Sequence, residues 1–121
     1  MTNEPGAESG PGVTATLREA VFRLTALIPP GQVTTYGHLA RAIGQPRAAR
    51  EVGWALSGVP PELDLPCHRV VNRLGELSGG WAFGHPDVMR ARLEAEGVSF
   101  VGPYRVDLAQ CLWVPDGDGV G

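Results

Sequence analysis

Lysine is absent from this 121-residue chain, cysteine occurs only twice, and no apolar run approaches the ~20 residues that a membrane span needs. The last absence excludes a helical membrane protein. The N-terminus also lacks the basic region and apolar stretch of a secretion signal, so a cytoplasmic location is expected. Two cysteines, Cys67 and Cys111, are too few for a zinc site, and in a reducing compartment both are expected to remain thiols. Each is then core filler or a reagent. Without lysine, arginine supplies all the side-chain positive charge, and the formal net charge of −3 argues against a chain that coats DNA indiscriminately.

The chain has room for one domain and one modest core, with no space for a second catalytic unit. Residues 1–12 and 115–121 are Gly/Pro- or Gly/Asp-rich and are expected to be disordered tails around a folded unit at 13–114. Charge is divided unevenly along that unit. Residues 17–73 hold seven arginines against four acids, whereas 74–121 hold three against seven, so one half is suited to face phosphate. There is no internal repeat.

Residues 14–28 place Ala15, Leu17, Ala20, Val21, Leu24, Leu27 and Ile28 at helical spacing, and Pro29-Pro30-Gly31 ends the pattern. Thr34 and Thr35 are suited to cap a second short helix at 36–43, with Leu39, Ala40 and Ile43 on its inner side and Gly44 as its stop. Pro46 then stands at a plausible first position of a third helix at 47–56, whose core residues are Ala48, Val52, Ala55 and Leu56. Two short helices joined by a Gly-containing turn make a helix-turn-helix. The second of them carries Ala48, Ala49 and Gly53 around Arg50, so part of its surface is nearly bare.

After a proline-containing loop at 58–65 comes Pro66-Cys67-His68-Arg69-Val70-Val71, ending in a β-branched pair that reads as a short buried strand or turn. Residues 72–81 are turn-rich, 86–97 read as a last helix, and 98–114 suggest a small hairpin or wing. The fold expected is mainly α, a winged-helix-like helix-turn-helix domain with that C-terminal hairpin.

The bland reading of a cysteine is a small buried hydrophobe, and Cys111, in an apolar stretch, fits it. Cys67 differs in its neighbours: His68 can perturb a thiol or relay its proton, and Pro66 stiffens the approach. His68 needs a partner, and Glu94 and Glu96 are both available; spacing does not choose between them. Arg50 has no acid at three- or four-residue spacing, which favours an exposed role, for instance filling a gap in a base stack. Tyr36 is either a core aromatic or a neighbour of the DNA backbone, and Trp54 is core or a pocket wall. A transcription regulator would place polar base readers on the recognition helix, where this chain has Ala48, Ala49 and Gly53.

Together these segments resemble the C-terminal DNA-binding domain of the O6-alkylguanine-DNA alkyltransferases, and still more the short alkyltransferase-like proteins that consist of this domain alone. The resemblance rests on Gly31-Gln32-Val33-Thr34-Thr35-Tyr36, Pro46-Arg47-Ala48-Ala49-Arg50 with Val52-Gly53, Pro66-Cys67-His68-Arg69-Val70-Val71, and Leu93-Glu94-Ala95-Glu96-Gly97-Val98, in that order. It implies Cys67 as alkyl acceptor, His68 as its base through a water, and Glu96 as the carboxylate orienting the histidine. Arg50 would replace the flipped base. Tyr36 would rotate the phosphate, with Thr35, Ala48, Ala49 and Gly53 also at the DNA. Trp54, Pro66, Val70, Ser78 and Gly79 would line the pocket.

The resemblance also implies that the recognition helix enters the minor groove, which would account for its small residues and make binding largely independent of sequence. The implied partner is double-stranded DNA containing O6-alkylguanine, bound by a monomer without metal or organic cofactor. Transfer would consume the protein, because a thioether is not hydrolysed. The chain departs from the enzymes at Val59, where they place an asparagine, and in a shorter loop after the motif. Its tail is similar to that of the alkyltransferase-like proteins, which normally lack the reactive cysteine and flag lesions for nucleotide excision repair proteins.

Overall fold

The computed structural model describes residues 15–78 and 85–115. Gly79, the predicted N-terminal tail at 1–12 and residues 116–121 of the predicted C-terminal tail lie outside the described residues. The first helix, α1 (Ala15–Thr25), buries Leu17, Val21 and Thr25 on one stripe. It ends three residues before the apolar pattern does. Thr25 turns its hydroxyl back on the Val21 carbonyl at 2.7 Å, and the next residues leave the helix through a turn that exposes Leu27 and buries Ile28.

The helix-turn-helix is present as α2 (Tyr36–Ala42) and α3 (Ala49–Ser57), both packed on α1 and on each other. Thr35 is the N-cap of α2, its hydroxyl accepting from the His38 amide at 3.0 Å, and Gly44 (φ +81) turns the chain out of the helix. Pro46 does not begin α3 as expected. Residues 46–47 form a turn, Ala48 is the N-cap without a side-chain hydrogen bond, and the helix starts at Ala49.

The β-branched pairs at 34–35 and 70–71 meet as a parallel ladder: β1 (Thr34–Thr35) pairs with β2 (Val70–Val71), Thr34 opposite Val70 and Thr35 opposite Val71. Successive side chains of a strand point to opposite faces. Val70 accordingly joins the core formed by α1, α2 and α3, while Val71 joins a second core with Val33, Leu77, Met89, Leu93, Val98, Val106 and Cys111. The two-stranded ladder is the seam between them.

The last long helix, α4 (Pro86–Ala95), buries Met89 and Leu93, whereas Val88, Ala91 and Ala95 face out. His85 caps it and Gly97 (φ +88) ends it. The expected hairpin forms from β3 (Phe100–Gly102) and β4 (Arg105–Val106), antiparallel with an irregular register. A short α5 (Leu108–Cys111), capped by Asp107, was not foreseen; it carries Cys111 into the second core and Leu112 into a bridge beside Val33. Among the described residues no helix is long and apolar enough to cross a membrane.

Candidate functional site

Proline has no amide to donate, so the chain at Pro66 cannot continue a ladder and instead tightens. The Cys67 amide donates to the Leu65 carbonyl at 2.8 Å and the Arg69 amide to the Pro66 carbonyl at 2.9 Å, which closes a single 3₁₀ turn over Cys67, His68 and Arg69 before β2 begins. This turn sits on the seam. It presents Cys67 half-buried, sinks His68 to 6% exposure, and leaves Arg69 between the two cores.

His68 Nε2 lies 2.9 Å from Glu96 Oε2. Glu94, the alternative carboxylate, instead pairs with Arg90 of its own helix on the surface. Glu96 also receives two bonds from Arg69, Nε to Oε1 at 2.9 Å and Nη2 to Oε2 at 2.6 Å, and these hold its carboxyl at a pKa of about 2. A carboxylate ionised to that degree can only accept, so His68 Nε2 carries the hydrogen and Nδ1 is the bare nitrogen of a neutral imidazole. Among the described residues Nδ1 is buried with no hydrogen-bond partner. Burial depresses the His68 pKa against the opposing pull of Glu96, with the cations of Arg69 and Arg92 adding to the depression. The imidazole is therefore neutral, held by Glu96 at Nε2 and unengaged at Nδ1.

Burial pushes the Cys67 thiol from 9.0 up to about 11. Left to itself the sulfur stays protonated at neutral pH, so its use as a nucleophile requires a nearby base. On one side of it lies Tyr36, whose hydroxyl is hydrogen-bonded to the Ser78 side chain and whose own pKa is raised chiefly by burial. On another side Cys67 opens on a cavity of about 300 Å³, walled by Leu56, Val59, Pro60, Pro61 and Leu65 and edged by Asp64 and Arg92. Val70 is fully buried in the seam, and Trp54 and Ser78 lie outside this cavity's lining.

The exposed side of α3 carries Arg50, with its guanidinium 6.0 Å from the Trp54 ring centre one turn on. Trp54 itself packs partly against the first core. Ala48 is buried, Ala49 is half-buried, and Gly53 lies against the Tyr36 ring, where an added Cβ would meet it at 3.9 Å. The Tyr36 ring thus touches the second helix of the motif while its hydroxyl faces the cysteine. The Thr35 side chain is buried and engaged with His38, so only its place at the start of α2 brings it to this face. Sequence reasoning did not single out Arg69 or Arg92. An arginine directly after the histidine, on a 3₁₀ turn, was the available signal for Arg69.

Fold and site define a helix-turn-helix protein with a cysteine set beside a histidine–glutamate pair. The chain belongs to the family described as 6-O-methylguanine DNA methyltransferase, DNA binding domain, whose model matches residues 16–98. It is 45% identical over 97 residues to the DNA base-flipping protein of Escherichia coli (strain K12), covering 78% of this chain and 72% of that protein. It is 46% identical over 72 residues to the methylated-DNA–protein-cysteine methyltransferase of Salmonella typhimurium, but spans only 42% of that protein. Among solved structures, S. pombe Atl1 in complex with damaged DNA containing O6-carboxymethylguanine matches with a TM-score of 0.73 and 33% identity, over 84% of this chain and 98% of that one.

Proposed function

We propose that this protein binds double-stranded DNA through the minor groove as a cytoplasmic monomer. It flips an O6-alkylguanine out of the stack and takes the alkyl group irreversibly onto Cys67 Sγ. The functional unit is residues 13–114. The observation that carries this reading is the state of the histidine: Nε2 is committed to an ionised Glu96, and Nδ1 of this residue, which directly follows Cys67 in the chain, has no hydrogen-bond partner among the described residues. The thiol proton passes through a water to His68 Nδ1, and the sulfur attacks the alkyl carbon in line. The carbon–O6 bond breaks with its electron pair left on the purine, which takes up the relayed proton as guanine departs. Alkylated cysteine is not restored, so each molecule turns over once, and no step calls for a metal or organic cofactor.

The DNA-facing roles follow from shape and charge. Arg50, exposed on a helix otherwise faced with Ala49 and Gly53, is the group that fills the gap left by the flipped base. Tyr36, between Gly53 and the Ser78 hydroxyl, contacts the displaced nucleotide. Pro66, Trp54, Val70 and Ser78 are assigned to the pocket that takes the flipped base, together with Gly79, which lies outside the described residues.

A second reading has its own support: the relatives named for base flipping match over more of this chain than the methyltransferase does, and the Cys67 thiol is held protonated at rest. On that reading the protein marks the lesion for nucleotide excision repair proteins without removing it. Incubation with a duplex containing O6-methylguanine, followed by intact-protein mass and peptide mapping, separates the two. One added methyl on Cys67 is expected, whereas tight binding to the lesion with unchanged mass leaves only the sensor.

A further inference from the structure

We propose that Arg69 is a positioning residue for the proton relay: it holds the Glu96 carboxylate in the orientation that serves His68, and it is itself held by the turn that follows α1. The Arg69 guanidinium spends its donors in three directions. Nε and Nη2 grip the two oxygens of Glu96, and Nη1 donates to the Ile28 carbonyl at 2.8 Å. A planar fork engaged in this way has one orientation, which a lysine could not reproduce.

Glu96 needs such a hold because of where it stands. It is the C-cap of α4, at the end of a helix where side chains are least constrained and where the helix's own carbonyls repel a carboxylate. Glu94, two residues earlier, shows what happens without the hold: it makes an ordinary exposed pair with Arg90 of its own helix. Arg69 and Glu96, by contrast, are 14% and 18% exposed in their side chains. The turn from Ile28 to Gly31 closes the arrangement from the other side. Gly31 has φ +87, and a Cβ there would stand 3.2 Å from the Glu96 carbonyl oxygen.

The charged groups facing the imidazole are Glu96 and Arg92 from α4 and Arg69 from its own turn, with the Cys67 thiol adjacent. Because Arg69 shares the Glu96 charge and adds a cation of its own, it weakens the pull of Glu96 for a proton on the imidazole. His68 is thereby kept aligned by Glu96 yet unprotonated, the state a base must start from.

The test uses the full chain with Arg69→Gln, which removes the charge, and Arg69→Lys, which keeps the charge and removes the fork. The His68 ring is titrated by NMR in the DNA-free protein, with His38 and His85 as internal references. In Arg69→Gln the His68 midpoint is expected to move to higher pH, and in Arg69→Lys to move less in the same direction. In the alkyl-transfer assay, the acid side of the pH–rate profile is expected to move upward with it, with rates recovering as pH is raised.

An unchanged His68 midpoint in a variant that remains folded by circular dichroism overturns the proposal, as does a transfer rate lowered equally at every pH. Should Arg69→Gln not fold, Arg69→Lys is read by the same criterion. The consequence for transfer rests on the alkyl-acceptor reading, but the ring titration does not. A wild-type protein that fails to take up methyl defeats that reading while leaving the titration to decide the role of Arg69.

Discussion

The two cores of this small protein are built in different ways. The first is made of α1, α2 and α3, successive segments that each satisfy their backbone internally and bury one apolar stripe. The second gathers α4, α5 and the hairpin through pairings between distant parts of the chain, such as Val33 beside Leu112, Glu76 beside Arg105, and the Leu77 amide on the Tyr104 carbonyl. The local core presents the arginine-bearing helix, while the non-local one delivers Glu96. Half-buried Cys67 packs against the edge of the first core. It stands on the seam, so a surface for grasping DNA needs only the first half, whereas the proton relay needs both.

Truncating each core gives the largest effect and the most direct attempt to break this division. Leu39→Ala and Leu93→Ala, both at fully buried sites, should each destabilise by about 2–5 kcal/mol. If the seam makes one cooperative unit, either variant lowers a single thermal transition. Two separate transitions would show that the halves fold independently.

A smaller and more selective effect is expected from Arg50→Ala. Stability should change by no more than about 0.5 kcal/mol, since the side chain is exposed. Preference for lesion-containing over undamaged duplex, read by fluorescence anisotropy with both probes, should fall by roughly tenfold or more, because unstacking a base costs a few kcal/mol. Equal loss on both DNAs would remove the gap-filling role of Arg50 and leave a plain phosphate contact.

The mildest test is Thr35→Ala, which deletes the α2 cap and should cost about 1 kcal/mol by denaturant titration. Because Thr35 also belongs to β1, a cost well beyond that figure would place the residue in the seam's energetics rather than only in the helix's.

Much of the first half was legible in the sequence because its signals are local: three- and four-residue apolar spacing, a threonine cap, and a glycine at 44 where the backbone turns left-handed. The start of α3 was misjudged because proline's preference for the first turn gave way to a tight turn at 46–47. The second half hid more. Nothing in Thr34-Thr35 or Val70-Val71 announces that they pair with each other, and short β-branched pairs carry no register of their own. Glu94 and Glu96 were equivalent by spacing; the end of α4 separates them, leaving one along the helix surface and turning the other toward His68. Arg69 was overlooked because, with its neighbour taken as the base, its own contacts depended on which glutamate arrived.

The alternation of Val70 and Val71 also says where this protein tolerates a change of length. Each side chain is indexed to its own core, so one residue inserted between Cys67 and Val70 would send both to the wrong side and rotate the thiol relative to them. The Gly58–Asp64 stretch, mostly exposed, is under no such indexing. Loop grafts that resize the chamber beside the sulfur should therefore be made upstream of Pro66. Within residues 67–71 the chain permits exchange of side chains but not insertion or deletion.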